Sequence, residues 1–343
     1  MSYTNGLDKP TDYFNTKLYT GNGSTQSITG VGFQPDWVWI KNRPDVRDHQ
    51  IYDSIRGVTK VIGSDRTSAE ATVSNGLTAF GSDGFTVGAD SNVNDNGDSH
   101  VSWNWLGANG TASNTDGSTT STVSANTTSG FSIVQWTGTS GNTTIGHGLG
   151  TVPAMVIAKN LGGSTNWVVY HKNLTSGYYL KINLTNAQDN ANSYFTADPT
   201  NSILSLTGST AFNSSGNGMI AYCFADKQGY SKFGSYTGNG NADGTFVYLG
   251  FKPAWVMVKR TDSASAWQIN DTKRDPYNKT THTLFPHLAD AESATGWFVD
   301  YVSNGFKIRD TGSAVNASGG SYIYMCFAES PFTTSTGIPT TSR

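Results

Sequence analysis

The sequence predicts an all-β protein made of three tandem, related β-sandwich modules, jelly-roll-like in kind and joined by linkers. Three observations carry that expectation. A motif recurs three times, the composition favours strands and turns, and one strand in each copy is apolar at consecutive positions. The first copy reads Tyr19-Thr20-Gly21-Asn22-Gly23, then Gly32-Phe33-Gln34-Pro35-Asp36-Trp37-Val38-Trp39-Ile40-Lys41. The third reads Tyr236-Thr237-Gly238-Asn239-Gly240, then Gly250-Phe251-Lys252-Pro253-Ala254-Trp255-Val256-Met257-Val258-Lys259. A more divergent middle copy has Trp136-Thr137-Gly138, then Pro153-Ala154-Met155-Val156-Ile157-Ala158-Lys159. The spacing from proline to lysine is the same in all three, so the similarity is structural rather than compositional.

Composition points the same way. Of 343 residues 39 are glycine and only 14% are charged, and glutamate occurs only at Glu70, Glu292 and Glu329. The hydrophobic content sits in β-branched and aromatic residues interrupted by turn residues, a strand pattern rather than a helical one. A net charge of -3 gives no electrostatic attraction to nucleic acid or an anionic membrane. No apolar run is long enough to span a bilayer as a helix, and the first residues lack the basic and apolar regions of a signal peptide.

Taken in order, residues 1–16 form an extended lead-in with few core candidates, and 17–107 the first module. Residues 108–130 are a Gly/Ser/Thr/Asn-rich linker, flexible or laid along a neighbour. The second module spans 131–226 and the third 227–330, closely coupled through a short boundary. Residues 331–343 are an irregular tail. In each module the strand after the proline (Trp37-Val38-Trp39-Ile40, Met155-Val156-Ile157-Ala158, Trp255-Val256-Met257-Val258) is covered on both faces. One face packs in its own sandwich, the other against a flanking segment, another module or another subunit. Cys223 and Cys326 hold matching positions in two modules and are expected as buried, unpaired thiols.

Candidate chemistry is sparse. Asp53 and Arg56 recur as Asp271 and Arg274, either a grip on a sugar or anion or an internal ion pair that fixes a loop. The middle copy has Tyr170-His171-Lys172-Asn173 there instead, which favours the internal pair. The run Asp90–Asp98 superficially suggests a calcium loop, but lacks its closing glutamate and central glycine, so a hairpin connection is expected and no metal is assigned. His282 and His287, near Asp290, are too few ligands for zinc. No nucleophile elbow, phosphate loop or His-Glu zinc motif occurs. The expectation is therefore no enzyme and no cofactor. Tyr178-Tyr179 and Trp297-Phe298 lie outside the recurring motifs and are expected to face solvent, where they could stack on sugar rings.

The segments Thr11–Gly23, Gly32–Lys41 and Gly229–Gly240 together resemble a family from tailed phages of marine bacteria, whose members are described as tail-fibre or virion structural proteins. The resemblance extends from about residue 10 to the end of the chain. It implies a virion component, made in the host cytoplasm, whose partners are other virion proteins and a host-surface glycan or protein receptor. It transfers no catalytic residue. The resulting expectation is a tail fibre or adhesin acting by multivalent non-covalent contacts, as a homotrimer. The first module would anchor it, and modules two and three would face the host. A head-decoration or head-fibre protein is the alternative within that class, and a glycan depolymerase the alternative outside it.

Overall fold

A computed structural model describes residues 7–190, 194–295 and 297–340. The described residues are almost entirely antiparallel β, and each third of the chain lays down seven main strands in the same order. In the first module the inner sheet runs Phe14–Thr20, Ser99–Trp105, Trp37–Asn42, Gln50–Asp53, and the outer sheet Gln26–Thr29, Gly84–Val87, Leu77–Gly81. The second repeats this with Phe131–Thr137, Gly218–Phe224, Met155–Asn160, Val168–His171 inside and Thr143–Gly146, Ile203–Leu206, Phe195–Ala197 outside. The third has Ser231–Thr237, Ser321–Pro331, Phe251–Arg260, Trp267–Asp271 inside and Phe246–Tyr248, Gly305–Ile308, Val299–Val302 outside. First strand pairs with last and second with next-to-last, which is the wrapping of a jelly roll.

The doubly apolar strands show why the modules cannot be separate bodies. Side chains alternate across a strand. Val38 and Ile40 enter the first module's own sandwich with Ile28, Leu77 and Phe85, while Trp37 and Trp39 point the other way. Val156 and Ala158 against Met155 and Ile157, and Val256 and Val258 against Trp255 and Met257, repeat the division. All the inward residues meet in one cluster drawn from all three modules. Trp37 stacks on Tyr222 with ring centroids 4.6 Å apart, Trp105 meets Trp255 edge-on at 5.9 Å, and Phe14 stacks on Phe327 at 5.0 Å. The three sandwiches are fused around a common aromatic core. The second apolar face is covered within the chain, so it does not call for another subunit.

A ring of loops closes this arrangement. After its fourth strand each module sends an arm onto another: the first onto the second, the second onto the third, the third onto the first. Trp167 Nε1 donates to Gly63 O (2.8 Å) and Trp267 Nε1 to Lys181 O (3.0 Å). At the matching position of the first module, His49 Nε2 lies 3.1 Å from Phe285 O. Its Nδ1 accepts from Trp39 Nε1, so the Nε2 proton is the one donated, and burial keeps the ring neutral. Two of the three recurring lysines serve the same closure. Lys159 Nζ donates to Thr67 O of the first arm and Lys259 Nζ to Thr185 O of the second. Lys41 bonds the carbonyls of Asn42 and Asp45 within its own module. Burial pulls Lys41 and Lys159 down to about 8 and Lys259 to about 7.

Chain ends and linker are more ordered than composition suggests. Ala112–Asn114 and Ser121–Asn126 extend the second module's inner sheet to six strands, so the linker lies along a neighbour. The lead-in also contributes to the core. Leu7 and Phe14 are buried in the common core, and the first strand begins at Phe14. The tail folds back until Ser335 N donates to Asp8 Oδ1 (2.6 Å). Cys223 and Cys326 are free and buried.

Candidate functional site

The two Asp-Arg pairs lie at the seams between modules, away from solvent. Arg56 Nε is 2.5 Å from Asp53 Oδ2, and Arg274 Nε 2.6 Å from Asp271 Oδ2, with all four side chains essentially inaccessible. Each carboxylate also receives a donor from another module: Tyr222 Oη on Asp53 (2.7 Å) and Trp103 Nε1 on Asp271 (3.0 Å). Each guanidinium reaches a glutamate in its own arm, Glu70 or Glu292 (3.3 and 3.2 Å). In the middle copy His171 takes over, its Nδ1 accepting from Asn173 N and its Nε2 donating to Tyr324 O of the third module (3.2 Å). The replacement is a different way to tie a seam, and these residues are architectural.

The aromatic pairs expected at the surface alternate instead, as neighbours on extended backbone must. Tyr178 is half-buried beside a small cleft with Ser176 and Asp198, but Tyr179 is 4% exposed and bonds Asp189 (3.0 Å). Trp297 is 2% exposed in the third module's core. Phe298 is half-buried under the Lys279 ammonium, 4.2 Å from its ring centre. The expectation that both pairs face solvent is thus corrected.

Asp90–Asp98 is a short helix, Ser91–Asn94, capped by Asp90, and not a hairpin connection. Asp45, Asp95 and Asp98 gather nearby, with Arg47 paired to Asp95 (2.7 Å) and Asn42 Nδ2 donating to Asp98 (2.8 Å). His282 pairs with Asp275, whereas His287 belongs to the arm packed over the first module.

The helix holds a recurrence that the sequence reading missed. Asn94, Asn213 and Asn316 are fully buried, and each returns to the Thr-Gly turn of its own module. Their Oδ1 atoms accept from Asn22 N, Thr139 N and Asn239 N, while the Nδ2 groups bond surrounding carbonyls. The Thr-Gly glycine is required by close approach. A Cβ at Gly21, Gly138 or Gly238 would fall about 2 Å from the carbonyl oxygen of Asp95, Ser214 or Ala317. The signal was readable as apolar-Asn-x-x-Gly in Val93–Gly97, Phe212–Gly216 and Val315–Gly319.

One open site stands apart from this architecture. A cleft of about 550 Å³ lies where the third module begins and ends, lined by Asp226, Gln228, Lys232, Tyr248, Gly250, Phe332 and neighbouring backbone. Tyr248 is 56% exposed and Phe332 39% exposed. Lys232 Nζ sits 5.2 Å from the Tyr248 ring centre and donates to Tyr248 O (2.7 Å). Asp226 accepts from Phe233 N (2.8 Å) and pairs with Lys172. Partial burial lowers the Lys232 pKa. The site offers an apolar ring, a carboxylate and an ammonium on one surface.

A family model matches residues 9–331, spanning the first strand of module one to the last of module three. The chain belongs to that family, DUF7483, described as a domain of unknown function. The family domain therefore embraces all three sandwiches together, in keeping with their common core. No curated protein matches the chain.

Proposed function

We propose that this protein is a phage virion component, a tail-fibre or adhesin body that binds the host surface by non-covalent contacts. The observation that carries the reading is the open, mixed aromatic and charged cleft where the third module begins and ends. The buried carboxylates and histidines of the seams are engaged in internal bonds, which supports binding over hydrolysis. Antibody labelling of intact particles tests the placement. Label at the tail is expected, label across the head would make this a decoration protein, and absence from the particle would end the virion reading. Release of reducing ends from host polysaccharide would replace adhesion with depolymerisation.

A further inference from the structure

We infer that the cleft bounded by Tyr248, Lys232, Asp226 and Phe332 is a saccharide seat, in which a neutral pyranose stacks on Tyr248 and directs hydroxyls to Asp226 and Lys232. This rests on the adhesive reading above and names its ligand class.

The internal copies act as controls. In each module the second strand has a buried apolar centre, Ile28, Ile145 or Val247, paired respectively with Phe85, Leu204 and Phe306. The residues on either side of that centre point outward. They are Ser27 and Thr29 in the first module, both exposed; in the second, Thr144 is half-buried and Gly146 is buried, a Cβ there falling 1.6 Å from Asn114 Oδ1. In the third they are Phe246 and Tyr248, 45% and 56% exposed. The first module shows that the fold accepts small polar residues at both positions where they face water. Two exposed aromatics there do not serve the sandwich.

Lys232 departs from its counterparts in the same place. Asn15, Ser132 and Lys232 stand in the same register, opposite Asn104, Cys223 and Cys326. Each donates to a carbonyl near the end of the second strand: Val31 O (3.0 Å), His147 O (2.7 Å) and Tyr248 O (2.7 Å). A short amide or hydroxyl satisfies that structural need in two copies. The third uses an ammonium, which keeps two further protons for a ligand beside the aromatic face. Asp226 likewise retains accepting capacity beyond its bonds to Phe233 N and Lys172.

Ligand class follows from the mixture. An entirely apolar partner would strip water from Asp226 and Lys232 and return no hydrogen bonds. A polyanion would meet the Asp226 carboxylate. A pyranose carries an apolar C–H face for Tyr248 and Phe332 and a rim of hydroxyls that accept from Lys232 and donate to Asp226.

The test is saturation-transfer NMR on the full chain with the methyl pyranosides of glucose, galactose and mannose and with N-acetylglucosamine, each at millimolar concentration. At least one is expected to receive saturation. For that sugar Tyr248→Ala should weaken binding about tenfold or more, and Tyr248→Phe by less than about threefold. Tyr277→Ala, an exposed tyrosine outside the cleft, should leave it unchanged. No transfer from any of these sugars, or equal binding by Tyr248→Ala in a variant with wild-type circular dichroism, overturns the assignment. Binding of labelled protein to host cells separates the two readings. Cell binding that survives Tyr248→Ala sinks the seat and leaves adhesion standing, whereas sugar binding without cell binding does the reverse.

Discussion

The inward and outward sides of the three sandwiches repeat with very different strictness. Inward, every copy supplies large side chains to one cluster, and every copy ends an arm on another copy's ring nitrogen. Outward, the second strand carries exposed Ser27 and Thr29 in the first module and exposed Phe246 and Tyr248 in the third at matched places. A position facing the common core answers to two other modules, so a change there must be accommodated three ways. A position facing water answers to none. The lesson is that departures from the repeat mean little inside unless the seam bond is also replaced, as with His171, and mean most outside.

That contrast can be broken or sharpened by substitution. Trp105→Ala removes a ring that touches Trp37, Trp255 and Phe327, and should cost about 3–5 kcal/mol while lowering the unfolding midpoint of all three modules together. Denaturation followed by probes in separate modules checks this, and non-coincident transitions would show the common core to be weaker than its packing. Asp271→Ala leaves Arg274 buried without its nearest counter-charge and should cost about 3 kcal/mol or more. Glu292 remains near Arg274, so the double variant Asp271→Ala with Glu292→Gln should lose further stability in the same denaturation assay.

Asn213→Ala should cost about 1–3 kcal/mol, because Thr139 N and the carbonyls of Gly141 and Thr207 lose their partner. Hydrogen exchange at the Thr139 amide should rise in the variant. A further effect is set by pH. Burial holds His171 at about 3 and His287 at about 4, both below the unfolded value near 6.5. The unfolded chain therefore binds more protons on acidification, so stability is complete above about pH 6.5 and falls as pH drops toward 4. Thermal midpoints between pH 7 and pH 4 should show this decline, and His171→Gln should shallow it. A flat profile would mean that the His171 seam opens to water.

Much of the fold was legible because strand periodicity is a local property. Trp37–Ile40 reads as buried on both faces without knowledge of what covers them. The identity of the cover was not legible, since the arms meet their acceptors through backbone carbonyls such as Gly63 O and Phe285 O, which carry no residue code. The linker's serines and threonines form strands because a sheet edge was waiting for their backbone, not because they bury apolar surface. Tyr178-Tyr179 and Trp297-Phe298 misled because the sequence does not say which of two neighbours points inward. Tyr248 was overlooked although it sits within the third repeat, where comparison with Thr29 and Gly146 would have singled it out.

The ring is continuous through two peptide connections and closed at the third seam by the arm that seats Phe285 O on His49. An assembly of three identical chains would have to display every surface substitution in triplicate, at three equal angles about its axis. Here each third is encoded separately, so a single face can be altered while its two counterparts stay inert. One strand, Phe246–Tyr248, can give the body a front.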